Sequence, residues 1–241
     1  MSRVLYILII VLFFACKKAE DRPCFKKAGE LTTSTITIEP SISHFEINDN
    51  IDVTLIEDTS SYLVLTGPKN LLNFIEVSNE NNRLIISNKN KCDIFRMGYA
   101  IHAELHASTF EYLKLTGYGY ITNIDSLNAN IEIEATHSVS KLDLTFSCDS
   151  IFHKTEAGSI VANFKGIANY LYVYSANQAE FHGEELETKY LHFNNSSISD
   201  LYGYATVDAL IEINNQGNVI ISGNPASISV YGDGTGETTT P

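Results

Sequence analysis

From Leu113 onward, short alternating runs of apolar residues recur about every 18 to 20 residues, starting at Leu113, Ile131, Ile151, Leu171, Leu191, Ile211 and Ile228. Each run opens on a triplet: Leu113-Lys-Leu115, Ile131-Glu-Ile133, Ile151-Phe-His153, Leu171-Tyr-Val173, Leu191-His-Phe193, Ile211-Glu-Ile213 and Ile228-Ser-Val230. In a strand, a period of two sends the outer members of a triplet to one face and the middle member to the other. The middle members are mostly Lys, Glu, Tyr, His or Ser, so one face meets water. Small and polar residues suited to turns follow, as in Thr116-Gly117, Ala157-Gly158 and Asn194-Asn195. A second apolar position comes at Ile121, Val139, Ile160, Ala179, Ile198 and Val219. A third strand-like piece is marked by Leu127, Leu144, Ile167, Leu186 and Val207.

Three short strands per repeat predict an all-β fold, a right-handed parallel β-helix of about 20 residues per coil, over 99–232. A hairpin meander would want Asn-Gly or Asp-Gly turns, and the repeats contain none. No coil buries its inner face alone, so stacked neighbours supply the core and the two ends need caps. Residues 36–98 differ: longer strands separated by Gly67-Pro68 and Asn79-Glu-Asn-Asn82 predict an N-terminal β-meander that sheathes the first coil. Residues 233–241 are polar and Gly-rich and predict a disordered tail.

The start of the chain carries an address. One positive charge precedes an apolar run from Val4 to Phe14, too short to span a bilayer and of the length of a signal-peptide core. It ends on Ala15-Cys16. Residues 1–15 therefore resemble a bacterial lipoprotein signal, with Phe13 where Leu is favoured, and Cys16 would be the lipidated first residue of the mature chain. Residues 16–35 follow as a flexible tether, opening on the charged tract Lys17-Lys-Ala-Glu-Asp21 that resembles the export signal of surface lipoproteins in Bacteroidetes. The expected location is the outer membrane, on the cell surface or the periplasmic face.

Charge narrows the partners. With 29 acidic and 16 basic residues the net charge is −13, and loss of Arg3 with the signal peptide takes it to −14. Such a surface repels nucleic acid and anionic headgroups, which leaves the lipid anchor as the expected membrane contact. Apart from Cys16, the cysteines Cys24, Cys92 and Cys148 are odd in number and lack CxxC spacing, so no zinc site is indicated. Their disulfide state is open, and so is the oligomeric state.

Phe45-Glu-Ile-Asn-Asp-Asn-Ile-Asp-Val-Thr-Leu55, Leu63-Val-Leu-Thr-Gly-Pro-Lys-Asn-Leu-Leu-Asn-Phe-Ile-Glu-Val77, Arg83-Leu-Ile-Ile86 and Leu113-Lys-Leu-Thr-Gly-Tyr-Gly119 together resemble the head GIN domain family of auto-transporter adhesins. The resemblance runs from about Ile42 to Gly232. It implies a β-helical envelope lipoprotein of Bacteroidetes type and brings no catalytic residues with it.

Chemistry-bearing residues are few. His102, Glu104 and His106 alternate on a strand and could share a metal ion, yet residues two apart lie nearly 7 Å apart and cannot converge without a bend. Asp49, Asp52, Glu57 and Asp58, and Glu184, Glu185 and Glu187, are acidic groups of the kind a polysaccharide-active β-helix enzyme would use, but the repeats hold no arginine to bind an acidic polymer. Tyr118, Tyr120, Tyr170, Tyr172, Tyr174, Tyr190, Tyr202 and Tyr204 fall at related places in successive coils and would form an outward aromatic strip for a glycan or a protein ligand. Asn194, Asn195, Asn214 and Asn215 read as a ladder of side-chain amides between coils. No Walker loop, G-x-S-x-G or G-x-G-x-x-G signature is present. The expectation is a non-enzymatic, cofactor-free, lipid-anchored head for adhesion or binding, with a glycan-active enzyme or a structural or sensing periplasmic lipoprotein as alternatives.

Overall fold

A computed structural model describes residues 27–90, 99–138 and 140–240. The chain is a β-solenoid, and its repeat is the one the triplets announce: Ile131 pairs in parallel with Ile151, Ile151 with Leu171 and Leu171 with Leu191, a step of 20 residues each time, before Phe193 pairs with Ile211 at 18. The triplets build one face, and the second apolar positions build another. In the middle coils the strands run unbroken from the second face around a corner into the first: β11 (Lys141–Gly158), β12 (Val161–Asn177) and β13 (Glu180–Ser197), each 17 or 18 residues long. β14 (Leu201–Ile213) does the same and is shorter.

Triplet alternation puts side chains where it predicts. Leu113, Ile133, Ile151, His153, Leu171, Val173, Phe193 and Ile211 are buried to within 1%. Between the faces, Phe146, Phe164, Phe181 and Phe193 form a column of rings meeting edge to face at 4.9, 5.1 and 5.6 Å. Each buried ring contributes roughly 1.5–3 kcal/mol of transfer free energy, with a further increment for the edge-to-face geometry. They fill the interior of the middle coils.

The third apolar row is only partly inward. Leu127, Leu144 and Leu186 are buried, but Ile167 and Val207 face solvent. Gly166 explains Ile167: it takes the inward place at φ +104°, and a Cβ there would lie 2.1 Å from the Phe146 carbonyl oxygen. The next residue is then turned out. Leu186 is inward because β13 carries one extra residue between the pairs Asn163–His182 and Lys165–Glu185, which brings Leu186 opposite Gly166. Ile198, expected inward, is also exposed. Ser197 takes its place, with its hydroxyl donating to the carbonyls of Asn177 at 3.1 Å and Ala179 at 2.9 Å.

Helical rungs begin upstream of the expected boundary at 99. β2 (His44–Asn48) lies parallel between β6 (Arg83–Asn88) and β8 (Tyr112–Thr116), and β3 (Asp52–Glu57) lies parallel between β7 (His102–Ala107) and β9 (Tyr120–Asn123). Chain order and spatial order differ here, because the chain leaves after β3 and returns on the outer side of the rung it has just made. True meander pairing is confined to the end. There β1 (Leu31–Thr37) and β4 (Tyr62–Pro68) are antiparallel, β4 is antiparallel to β7, and β5 (Ile75–Glu80) forms a hairpin with β6 through Asn81 and Asn82, both at positive φ. The short helix α1 (Lys69–Leu72) buries Leu71, and residues 27–30 strap across it through Lys69 N–H to Glu30 O at 2.9 Å and Asn70 N–H to Ala28 O at 3.1 Å. This end is capped.

β10 (Ile131–Ser138) continues the first face after β8. At the far end β15 (Val219–Ser222), β16 (Ser227–Tyr231) and β17 (Thr238–Thr239) add the last strands. Of the residues expected as a disordered tail, 233–240 are ordered. Gly234 N–H donates to Ile213 O and Thr235 N–H to Asn215 O, both at 2.9 Å, and β17 lies parallel to β15. Their polar composition hid this, because the ladder uses backbone groups that every residue carries.

Candidate functional site

Outward residues of the first face form columns through the parallel register. Ser150, Tyr170 and Tyr190 stand in one, Phe152, Tyr172 and His192 in the next, and Lys154, Tyr174 and Asn194 in the third. Phe152 lies 5.6 Å from Tyr170 and 6.1 Å from Tyr172, and Tyr172 meets His192 edge-on at 5.0 Å. Phe152 and Tyr190 are 43% and 47% exposed. Burial raises the hydroxyl pKa of Tyr170 and Tyr172, helped at Tyr172 by the Glu212 charge, so both remain neutral donors. Burial lowers the pKa of His192 against the opposing pull of Glu212, and its Nε2 is covered without a hydrogen-bond partner. The result is an uncharged aromatic surface with hydroxyls at its edges, on a protein that is otherwise strongly acidic.

The tyrosines singled out from sequence do not form one strip. Tyr170, Tyr172 and Tyr174 share the first face. Tyr120, Tyr202 and Tyr204 lie on strands of the second, and exposed Tyr118 sits between β8 and β9. Phe152 and His192 were missed, although both are middle members of their triplets and alternation already pointed them outward.

The second face carries a polar concavity of about 530 Å³ lined by Lys141, Asp143, Asn163, Lys165, His182 and Glu185 among others. Its charges are internally paired. Lys141 lies 3.0 Å from Asp143 and Lys165 3.0 Å from Glu185. His182 Nε2 is 2.8 Å from Glu180 and Nδ1 is 3.1 Å from Glu184, and the ring stacks on Tyr202 at 4.9 Å. Burial alone would lower its pKa, but the two carboxylates outweigh that and raise it. With carboxylates on both nitrogens, both must donate, so this histidine is an imidazolium when clamped. Burial would likewise raise the Asp143 carboxyl, yet hydrogen bonds from Tyr120, Asn163 and Lys141 bring it below the ordinary value. Asp143, ionised and accepting from three donors, therefore does not have the form of a carboxylic general acid, and the clamped imidazolium of His182 has no free lone pair with which to act as a base.

His102, Glu104 and His106 do not converge. His102 faces Asp52 at 3.8 Å, while His106 is buried, stacked on Tyr62 at 4.0 Å and 3.3 Å from Asp58. No group of three or more His, Cys, Asp or Glu among the described residues could hold a metal ion. Two of the acidic residues serve the coils instead: Asp52 accepts from Tyr120 N–H at 2.9 Å and Glu57 from Asn128 N–H at 3.2 Å. The amide ladder forms, with Asn214 donating to Asn194 at 3.3 Å and Asn215 to the Ser196 carbonyl at 3.2 Å. Cys148 is a free thiol whose pKa burial pushes up to about 11, which keeps it protonated and unreactive. Cys16, Cys24 and Cys92 lie outside the described residues, and no helix among those described is long and apolar enough to cross a membrane.

A family model described as "Putative auto-transporter adhesin, head GIN domain" matches residues 43–225. Among solved structures, a "putative adhesin" from Bacteroides fragilis superposes with a TM-score of 0.79 at 16% identity, over 88% of this chain and 97% of that one. A "putative adhesin" from Parabacteroides merdae gives 0.63 at 15%, over 88% and 97%. A "Putative lipid binding protein" from Parabacteroides distasonis gives 0.56 at 16%, over the same shares. No curated protein matches the chain.

Proposed function

The chain belongs to the head GIN domain family, and from that premise we propose a non-enzymatic, lipid-anchored protein of the outer membrane whose β-helical head binds a glycan or a protein. One observation carries the reading: the contiguous, uncharged aromatic surface of Phe152, Tyr170, Tyr172, Tyr190 and His192 across three coils. Flat aromatic rings with hydroxyl edges suit the apolar faces of sugar rings and equally suit protein hot spots. The anchor rests on the resemblance of residues 1–16 to a lipoprotein signal. Non-catalysis is supported by the paired state of Lys141, Asp143, Lys165 and His182 in the polar concavity. One structural neighbour bears the name of a lipid binding protein, but the phenylalanine column that fills the middle coils here favours binding on the outside.

The test is a glycan and matrix-protein array probed with the head, residues 27–240, beside Tyr172→Ser on the first face and Tyr202→Ser on the second. Binding lost in Tyr172→Ser and kept in Tyr202→Ser is the expected result. Binding indifferent to Tyr172→Ser would remove the aromatic surface from the account, and turnover of a bound glycan would overturn the non-enzymatic reading. Metabolic labelling with a fatty acid, lost in Cys16→Ser, checks the anchor, and protease shaving of intact cells decides between the surface and the periplasmic face.

A further inference from the structure

The outward row of β12 does not end with the rings at Tyr170 and Tyr172. Past Tyr174 the strand reaches a corner, where Ala179 N–H donates to Ala176 O at 3.3 Å and Asn177 takes φ +62°, so Asn177 and Gln178 form the tip of a turn. One coil on, Ile198 N–H donates to Asn177 O at 2.9 Å, which stacks the exposed Ile198 beside that tip. Ala157 and Ala176 are too small to fill the space between the turns and Tyr174. A hollow of about 650 Å³ results, bordered by Tyr174, Asn177, Gln178, Ser196 and Ile198.

The polar groups around it are uncharged, and several are free. Among the described residues, nothing bonds the Tyr174 hydroxyl or the Gln178 amide. Asn177 donates from Nδ2 to the Glu156 carbonyl at 2.9 Å and keeps Oδ1 as an acceptor. Glu156 is the one charged residue on the border, and Lys154 Nζ meets its carboxylate at 2.6 Å. Lys154 and Glu212 share the column of Tyr174 and Asn194, and Glu212 accepts from Asn194 at 2.6 Å and Asn214 at 3.0 Å. The charges of this column and of the hollow are thus met within the protein.

We propose that the hollow and the aromatic surface form one site for an uncharged oligosaccharide, with sugar rings on Phe152 and Tyr172 and hydroxyls at the corner meeting Tyr174, Asn177 and Gln178. The assignment rests on the binding role given above to the aromatic surface and adds the ligand class and a second contact. Phenol hydroxyls and amides both donate and accept, as sugar hydroxyls do. A polyanionic glycan would bring its charge to a chain of net −13 and find Lys154 already paired. An extended peptide would need an open strand edge, and β12 and β13 are paired on both sides along this stretch. Tyr172 and Asn177 lie on one strand, up to roughly 17 Å apart at about 3.3 Å per residue, so a chain of several sugars reaches both and a single ring does not.

The experiment measures binding of the full-length chain, in a polyoxyethylene detergent, to immobilised neutral polysaccharides (dextran, mannan and xyloglucan) and anionic ones (polygalacturonate and hyaluronan) at low and high salt. Wild type is compared with Tyr172→Ser on the aromatic surface, Tyr174→Phe and Gln178→Ala at the hollow, and Tyr202→Ser on the second face. The two hollow variants change groups that bond nothing else, so circular dichroism should not move. Wild type is expected to bind a neutral polysaccharide with an affinity that salt barely changes, and to leave the anionic ones unbound. Tyr174→Phe and Gln178→Ala should each weaken that binding about fivefold or more, the size of one or two neutral hydrogen bonds, while Tyr202→Ser binds as wild type. Binding abolished by Tyr172→Ser but untouched by both hollow variants would overturn the hollow and keep the aromatic surface. Preference for an anionic polysaccharide, or an affinity that falls steeply with salt, would overturn the uncharged class. Failure to bind any neutral polysaccharide would overturn the oligosaccharide, and binding indifferent to Tyr172→Ser would remove the aromatic surface as well, the reading on which this one rests.

Discussion

His153 offers a quantitative test of how tightly the core is closed. It occupies the third, inward position of its triplet, is 1% exposed, and packs against Phe164 at 5.2 Å and Phe181 at 5.9 Å. Nε2 lies 3.3 Å from the Thr155 hydroxyl, and Nδ1 is buried without a partner. No carboxylate compensates a charge there, so burial drives the pKa from 6.5 down to about 4. The folded chain therefore holds a neutral imidazole where the unfolded chain takes up a proton. Between those two values the unfolded state binds more protons, so stability falls as pH drops from the unfolded value towards the folded one. From about pH 7.5 to about pH 4.5 the loss from this residue alone is about 2.5 kcal/mol, taking 1.36 kcal/mol per unit and the residual protonation at each pH. Urea unfolding of wild type and His153→Leu at both pH values reads it, because carboxylates and other histidines contribute equally to the two proteins. The substitution removes the orphan Nδ1 and strands the Thr155 hydroxyl, effects of about 1–3 kcal/mol and opposite sign. The informative quantity is thus the change with pH, which should be smaller in His153→Leu by about 2.5 kcal/mol. An equal pH dependence in the two proteins would mean that His153 is hydrated or charged in the folded state, and the closed core around it would have to be abandoned.

Asn195 is fully buried, with Nδ2 donating to the carbonyls of Gly217 at 3.0 Å, Ser199 at 3.2 Å and Asn218 at 3.3 Å, and Oδ1 accepting from Ser197 N–H at 3.0 Å. Asn195→Ala removes these bonds, with Asn218 O keeping only its bond from Leu201 N–H at 2.9 Å, and should lower stability by about 3 kcal/mol in urea melts, whereas a loss below about 1 kcal/mol would mean that water replaces the amide. For His182 the sign is the opposite of that for His153: its raised pKa makes the clamp with Glu180 and Glu184 a contribution fully present below the unfolded value of 6.5 and lost as pH rises through the folded value. His182→Gln should accordingly flatten the decline in melting temperature on the alkaline side of that window, and a decline identical to wild type would show that the clamp adds no stability.

Period-two alternation, repeated at a constant step, was sufficient to read the solenoid and most of its inward rows, because burial of one strand face is a local property that each triplet states by itself, while the family was legible only as a resemblance of the segments around residues 45–55, 63–77, 83–86 and 113–119. Alternation also placed His153 inward and Phe152 and His192 outward, although the latter two were passed over as ligand-facing groups. What only the tertiary structure decided depends on which strands become neighbours. The insertion of β2 and β3 between strands that follow them in the chain, the outward turn of Ile167 beside Gly166, the separation of Tyr202 from Tyr172, and the ordering of the polar residues after Gly232 all arise from coil-to-coil register and backbone pairing. Backbone hydrogen bonds look the same for every residue type, so a side-chain pattern carries no record of their partners.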